Sequence, residues 1–143
     1  MSVAVLADTP PTFTADPAIA AMSADQKVDA RQKAMKEDGE TLKDNFKATG
    51  QAAVTAVNTV EQNFTNFPAL FADGATNDKS KALPIIWTEY DKFTALFDKG
   101  KTDLEAMRTA ALAGDAAGYN KAIRALSAVC SECHKTYRAS NDG

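Results

Sequence analysis

Apolar residues recur every three or four positions in four successive segments of the chain, which is typical of amphipathic helices. The first predicted helix begins at Ser23, which forms a capping box with Gln26, and ends near Gly50. The second is predicted over residues 51–66, and Pro68 is expected to end it because helical geometry is disfavoured before a proline. The apolar stripe of the first helix consists of Val28, Met35, Leu42 and Phe46.

The third predicted helix begins near Pro84, bends or breaks at Gly100 and ends before Gly114. The fourth begins after Asp115, a favourable N-cap residue. A loop over residues 69–80, apolar at its start, precedes the third helix. The stripes of these two helices are Ile86, Trp87, Tyr90, Phe93, Phe97 and Leu104, then Tyr119, Ile123, Leu126, Cys130, Cys133 and Tyr137. Four such helices predict an all-α protein, an antiparallel up-down-up-down four-helix bundle.

Residues 1–22 are predicted to form an extended N-terminal arm, because prolines interrupt any helix there; these are Pro10, Pro11 and Pro17. Phe13 and Ile19 are the apolar residues expected to hold this arm against the bundle. The helical domain is predicted over residues 23–143, and its last four residues form a polar tail.

Composition narrows the class of protein. A chain of 143 residues fits one domain, and 45% hydrophobic with 24% charged residues is ordinary for a globular protein. The net charge of −3 and a pI near 5.1 argue against nucleic-acid binding, which favours a basic surface. No apolar run reaches the roughly 18 residues that a membrane span needs, so no membrane span is expected.

The motif Cys130-Ser131-Glu132-Cys133-His134 contains both cysteines and the single histidine of the chain. C-x-x-C-H is the attachment motif of a c-type haem, so one covalent haem c is predicted. On a helix, positions i and i+3 share a face, which lets both thiols reach the vinyl groups of one haem. His134 lies on the same side and is expected to ligate the iron.

Three other interpretations compete with haem attachment. A thioredoxin-type dithiol usually follows a strand, whereas this motif lies late in a helical segment. A structural zinc site needs four ligands, and the motif offers three with no further Cys or His in the chain. A disulfide between Cys130 and Cys133 closes too small a loop to constrain the chain.

Antiparallel order brings the motif to the pole at which the first helix begins, and Met35 is the methionine at that depth. There it either ligates the iron or fills the core. Arg31, one turn earlier, is expected to pair with a haem propionate. Trp87 and Tyr90 are expected to pack against the macrocycle. Arg138 either shields the proximal side, meets a propionate or is a solvated charge.

Residues 23–139 resemble the cytochrome c′ and cytochrome c-556 family. The resemblance rests on three segments in register: RQKAMK (31–36), PIIW (84–87) and CSECHKTYR (130–138). It implies that Cys130 and Cys133 form the thioethers, that His134 is an axial ligand and that Arg31 contacts a propionate. Met35 takes the position that faces the distal side of the iron.

This family divides at that distal position. In cytochrome c-556-like members a methionine there binds the iron and gives a six-coordinate, low-spin electron carrier. In cytochrome c′ members the iron stays five-coordinate, and the apolar pocket admits nitric oxide or carbon monoxide. The segments MKEDG (35–39) and FPALF (67–71) are similar to the c-556 branch, which favours ligation by Met35.

We therefore expect a periplasmic c-type haem protein that carries single electrons, with His134 and Met35 as axial ligands. It is not expected to be an enzyme, because the chain has no second histidine, nucleophile–base pair or phosphate loop. The alternatives are a five-coordinate haem protein that binds NO or CO, and a haem-free helical interaction module with a disulfide.

Location and partners follow from the haem. Covalent attachment takes place outside the bacterial inner membrane, so the periplasm is the expected location. The first residues do not read as a secretory signal, and we expect that a leader has been removed or replaced. Redox partner proteins are expected, and the resemblance allows a homodimer formed through the first two helices.

Overall fold

The computed structural model describes residues 11–139, and every regular element in that range is helical apart from one isolated backbone bridge. Four long helices form the bundle, and a fifth is a single turn. They are α1 (Ala24–Asn45), α2 (Gly50–Phe71), α3 (Ile85–Thr88), α4 (Tyr90–Ala113) and α5 (Ala116–Tyr137). The all-α four-helix bundle is confirmed. The start of the predicted arm and the polar tail lie outside the described residues.

Local sequence signals set three of the helix boundaries. At the start of α1, Ser23 Oγ accepts from the amide of Gln26 at 3.1 Å, and Gln26 Oε1 accepts from the amide of Ser23 at 2.8 Å, which completes the capping box. At the end of α4, Gly114 takes a left-handed φ of 69°, the geometry that closes a helix and favours glycine. Asp115 Oδ1 then accepts from the amide of Gly118 and caps α5.

The prediction that Pro68 ends the second helix is wrong, because α2 continues to Phe71. Proline removes one backbone hydrogen bond from a helix but does not forbid the turn that follows it. Leu70 and Phe71 are 3% and 6% exposed, so continuing the helix buries two large apolar side chains in the core. This burial offsets the missing hydrogen bond.

The prediction of a bend or break at Gly100 is also wrong. The interruption lies at Glu89, whose φ of −122° and ψ of 40° are non-helical, and α4 runs unbroken through Gly100. A Cβ on Gly100 would lie 2.3 Å from Phe64 Cε2. Glycine at this position therefore makes room for a core ring from α2.

The described part of the arm is not fully extended. Residues Pro17–Ala21 form a 3₁₀ helix, in which Pro17 occupies the first turn, where its fixed φ is favourable. Ile19 is 3% exposed and joins the core. The arm lies along α2, since the side chain of Gln62 donates to the carbonyl of Thr14 and the amide of Asp16 donates to the side chain of Asn66.

Neighbouring helices pack in chain order: α1 on α2, α2 on α4, and α4 on α5. Within the described residues, the backbones of α1 and α5 approach each other at isolated points at most. The bundle is therefore open between its first and last helices. The wall behind this opening is an aromatic cluster of Phe64, Phe67, Phe71, Phe93, Phe97 and Tyr137. None of the helices over residues 11–139 combines the length and apolar character needed to cross a bilayer.

Candidate haem site

The C-x-x-C-H motif lies in the last two turns of α5 and faces the opening. Cys130 and Cys133 are free thiols, and His134 is half-buried beside them. Burial raises the pKa of the Cys130 thiol to about 11 and that of Cys133 to about 12, so both are protonated at neutral pH. Burial, and then the charge of Arg138, lowers the pKa of His134. The imidazole is therefore neutral and its ring nitrogen can bind a metal.

Two cavities of about 440 and about 150 Å³ lie between α1 and α5. Met35, Cys133 and His134 line both of them, so the cavities adjoin at these side chains. Met35 enters from α1 and is half-buried. The larger volume falls within the range of pockets that hold small-molecule cofactors.

The larger cavity has an apolar wall and a basic mouth. Phe71, Ile86, Phe93 and Tyr137 form the wall, which suits the faces of a porphyrin ring. Its charged lining residues are all cationic: Arg31, Lys36, Lys81 and Arg138. An apolar slot with cations at its opening matches a group that is apolar in the middle and carries carboxylates at one edge.

The smaller cavity contains a buried carboxyl group that the sequence analysis missed. Asp38 is 6% exposed; its Oδ1 accepts from Asn63 Nδ2 at 2.7 Å, and its Oδ2 has no partner among the described residues. Burial raises the pKa of Asp38 to about 8, an effect opposed by the Asn63 hydrogen bond and reinforced by Glu37. Asp38 lies three residues after Met35 on the inward stripe of α1, so helical spacing alone indicated its position.

Three residues that the sequence predicts at the cofactor bind the C-terminal end of α2. The last carbonyls of a helix lack intrahelical partners and need other donors. Tyr90 Oη donates to the carbonyl of Pro68, Arg31 Nη1 to that of Leu70 at 3.1 Å and Trp87 Nε1 to that of Phe71 at 2.6 Å. Side chains from α1, α3 and α4 thus complete this helix end.

Trp87 and Tyr90 do not line either cavity. The structure therefore does not bring them together with the C-x-x-C-H motif, and their expected packing against the macrocycle finds no support in their positions. Their polar atoms instead donate to carbonyls at the end of α2.

Arg31 does reach the larger cavity and is 3% exposed. Besides Leu70, its guanidinium donates to the carbonyl of Ala75 at 2.7 Å and to Ser80 Oγ at 3.0 Å, and it lies 4.2 Å from the ring centre of Phe71. These bonds use three of its five N–H groups. Burial lowers the pKa of Arg31 to about 10, which leaves it charged at neutral pH.

Residues 79–83 form a strap that crosses the outer side of the larger cavity. On one side, Gln32 Nε2 donates to the carbonyl of Lys79 at 3.1 Å. On the other, the amide of Leu83 donates to the carbonyl of Tyr137 at 2.9 Å, and the amide of Ala139 donates to that of Lys81 at 2.7 Å. The strap therefore ties α1 to the end of α5 and sets Lys81 and exposed Arg138 at the cavity mouth.

The donor set fits a haem better than a bare metal ion. Over residues 11–139, no three His, Cys, Asp or Glu side chains converge on one point. A haem brings four equatorial nitrogens of its own and asks the protein for one or two axial ligands. His134 and Met35 are such ligands by type, and two thiols on the same helix face match its two vinyl groups.

Comparison with known proteins agrees with this site. The family described as Cytochrome C′ matches residues 20–138. The chain is 41% identical over 90 residues to cytochrome c-556 of Agrobacterium tumefaciens (strain B2A), covering 63% of this chain and 70% of the relative. It is 30% identical over 118 residues to cytochrome c′ of Pararhodospirillum photometricum, covering 78% of this chain and 94% of the relative.

The fold also matches solved structures of cytochrome c′. Cytochrome c′ from Thermochromatium tepidum superposes with a TM-score of 0.73 at 22% identity, covering 83% of this chain and 98% of that one. The interpretation as a haem-free module is not supported by these matches. The chain belongs to the cytochrome c′ family of haem proteins, and its relatives include proteins named cytochrome c-556 as well as proteins named cytochrome c′.

Proposed function

We propose that this protein is a single-electron carrier whose haem iron is ligated by His134 of α5 and Met35 of α1. The observation that carries the proposal is that these two side chains, from opposite walls of the opening, line the same two cavities. A haem bound there supplies a one-electron Fe(III)/Fe(II) couple. The thioether of Met35 is a soft ligand that favours the ferrous state and raises the reduction potential.

Cys130 and Cys133 would hold one haem. Each S–H would add across a vinyl C=C bond, so that sulfur bonds to one carbon, the proton goes to the other, and no electrons are gained or lost. The raised pKa of both thiols keeps that proton on sulfur until the addition. Because the thiols lie one helical turn apart on α5, the two thioethers fix the ring beside His134.

The cationic mouth holds the propionates. Arg31 offers its remaining N–H groups from inside the larger cavity, and Arg138 approaches from the end of α5. Trp87 and Tyr90 support the site indirectly. They donate hydrogen bonds to the C-terminal end of α2, whose last residue, Phe71, forms part of the cavity wall. The neutral imidazole of His134 keeps its lone pair for the iron.

The periplasm is the proposed location, since covalent haem attachment of this type occurs there. Electron carriage implies redox partner proteins. The family resemblance also allows a homodimer formed through α1 and α2.

A second candidate is a five-coordinate haem protein that binds NO or CO. The smaller cavity favours it, because about 150 Å³ of largely apolar space beside Met35 has room for a diatomic ligand. A Cβ built on Gly39, which also lines this cavity, meets no atom within 4 Å. In this arrangement Met35 restricts access to the iron instead of binding it.

Absorption spectra in both oxidation states separate the two functions. Ligation by His134 and Met35 gives a low-spin ferric spectrum with a sulfur-to-iron charge-transfer band, and slow binding of carbon monoxide to the reduced protein. A high-spin ferric spectrum at neutral pH, with rapid binding of carbon monoxide, overturns the electron-carrier proposal and establishes the second candidate.

A further inference from the structure

Cationic residues are concentrated around the mouth of the larger cavity. Four Lys and Arg residues line it: Arg31 and Lys36 of α1, Lys81 of the strap and Arg138 at the end of α5. The lining contains no Asp or Glu. The chain as a whole has 16 Lys and Arg against 19 Asp and Glu residues, so this mouth is a basic face on a protein of net negative charge.

These cations are more numerous than the site itself requires. Two propionates carry two negative charges, whereas the cavity lining alone holds four Lys and Arg residues. Lys36, Lys81 and Arg138 are exposed, and none has a carboxylate within 4 Å among the described residues. Lys79, directly before the lining residue Ser80, is exposed as well. The charge therefore points outward to solvent.

The basic face is also rigidly placed. The strap is bonded on one side to the side chains of Arg31 and Gln32 and on the other to the backbone of Tyr137 and Ala139. These bonds fix three chain segments relative to one another at the edge of the cavity. Fixed charges around one opening steer a partner of opposite charge and raise its association rate by a factor of roughly 10 to 1,000.

We propose that the cavity mouth is the docking surface for a redox partner protein with an acidic face. The inference rests on the proposed electron-carrier function, since it requires that electrons enter or leave at this edge of the haem. The occupant is a protein because the carrier must exchange one electron with a second redox centre brought to the same opening. Charge complementarity orients the two surfaces at that opening.

The test uses the haem-bearing protein and an acidic plastocyanin as probe. One electron passes from the reduced protein to Cu(II), giving Cu(I), and stopped-flow spectroscopy measures the second-order rate constant against ionic strength. The variant Lys36→Glu/Lys81→Glu reverses two charges at the mouth. The control Lys121→Glu/Arg124→Glu reverses two exposed charges in the first half of α5, which do not line the cavity.

We expect the wild-type rate to fall as salt increases, because screening weakens steering. At low ionic strength and equal driving force, the mouth variant reacts at least about tenfold more slowly, and the control changes by less than about twofold. Equal effects of the two variants, or a rate insensitive to salt, overturn the docking proposal. A further outcome also overturns the docking proposal: the wild type and the control bind vesicles of anionic phospholipid, the mouth variant does not, and all three react with plastocyanin at the same rate. The occupant of the mouth is then a membrane surface.

Failure of docking and failure of the proposed function have different readouts. Voltammetry at an uncharged electrode reports the one-electron couple without a protein partner, and the spectrum reports ligation. A reversible wave with a low-spin spectrum and no charge effect on rates retains the carrier and rejects the docking surface. A high-spin spectrum with rapid carbon monoxide binding rejects the carrier itself and, with it, the docking proposal.

Discussion

Met35 of α1 and His134 of α5 line the same two cavities, although they lie 99 positions apart in the chain and their helices do not pack closely. A closed bundle would have filled this space with aliphatic side chains. Here the space is bounded by a thioether, an imidazole and two thiols. The relationship supports the proposed ligation and opens the role of Met35 to direct test.

Met35→Ala is expected to convert the ferric protein from low to high spin. Removing the thioether leaves the iron with one protein ligand, so the sulfur-to-iron charge-transfer band disappears and the reduction potential falls. Absorption spectroscopy and voltammetry measure both changes. Met22→Ala, at the edge of the bundle, is the matched control and leaves the spectrum unchanged. An unaltered spectrum in the Met35 variant would show that this residue is not a ligand.

Gly100→Ala is expected to destabilise the protein by about 1–3 kcal/mol, even though alanine is the better helix former. The new Cβ would lie 2.3 Å from Cε2 and 2.9 Å from Cδ2 of Phe64, a ring confined by the aromatic cluster. Urea unfolding measures the loss. Adding Phe64→Leu removes the crowded ring edge, so the double variant should lose less than the sum of the two single changes. Strict additivity would contradict the steric explanation.

Arg31→Met is expected to destabilise the fold by about 2–4 kcal/mol, because it leaves the buried carbonyls of Leu70 and Ala75 without their donor. Arg31→Lys should rescue little, since an ammonium cannot reproduce the planar fork that also reaches Ser80. Arg124→Met, at an exposed position, is the control and should change stability by less than about 0.5 kcal/mol. Urea unfolding of all three variants provides the comparison.

Asp38 is expected to make stability fall as pH rises. Its folded-state pKa of about 8 lies above the ordinary value of 3.8, so between these values the folded state holds a proton that the unfolded state releases. The free energy of unfolding therefore decreases from about pH 4 to about pH 8, by on the order of a few kcal/mol.

Asp38→Asn removes this titration and keeps an oxygen that accepts from Asn63. The variant should gain stability relative to the wild type as pH increases from 5 to 9, in urea titrations at each pH. Asp29→Asn, on the exposed side of α1, is the control and should show a constant difference. A constant difference for Asp38→Asn too would mean that its carboxyl group is ionised in the fold throughout this range.

Helical spacing predicted the inward face of α1 but not the contacts of Trp87 in α3. The α1 stripe placed Arg31 and Met35 facing inward, because helical period is a local property and the capping box at Ser23 sets its start. The same stripe includes Asp38, a charged residue at a position where the helical pattern favours an apolar one. Trp87, in contrast, lies after a loop and before the unforeseen break at Glu89, so its direction did not follow from spacing.

The sequence by itself determined the four-helix bundle and the haem-attachment motif, since helical period, caps and the C-x-x-C-H spacing act over a few residues. Only the tertiary structure decided that α1 and α5 stand apart, that α2 passes Pro68, and that Trp87 and Tyr90 serve a helix end. The physical reason is that buried carbonyls take whichever donors the packed fold brings to them. Those donors come from residues 16 to 39 positions away along the chain.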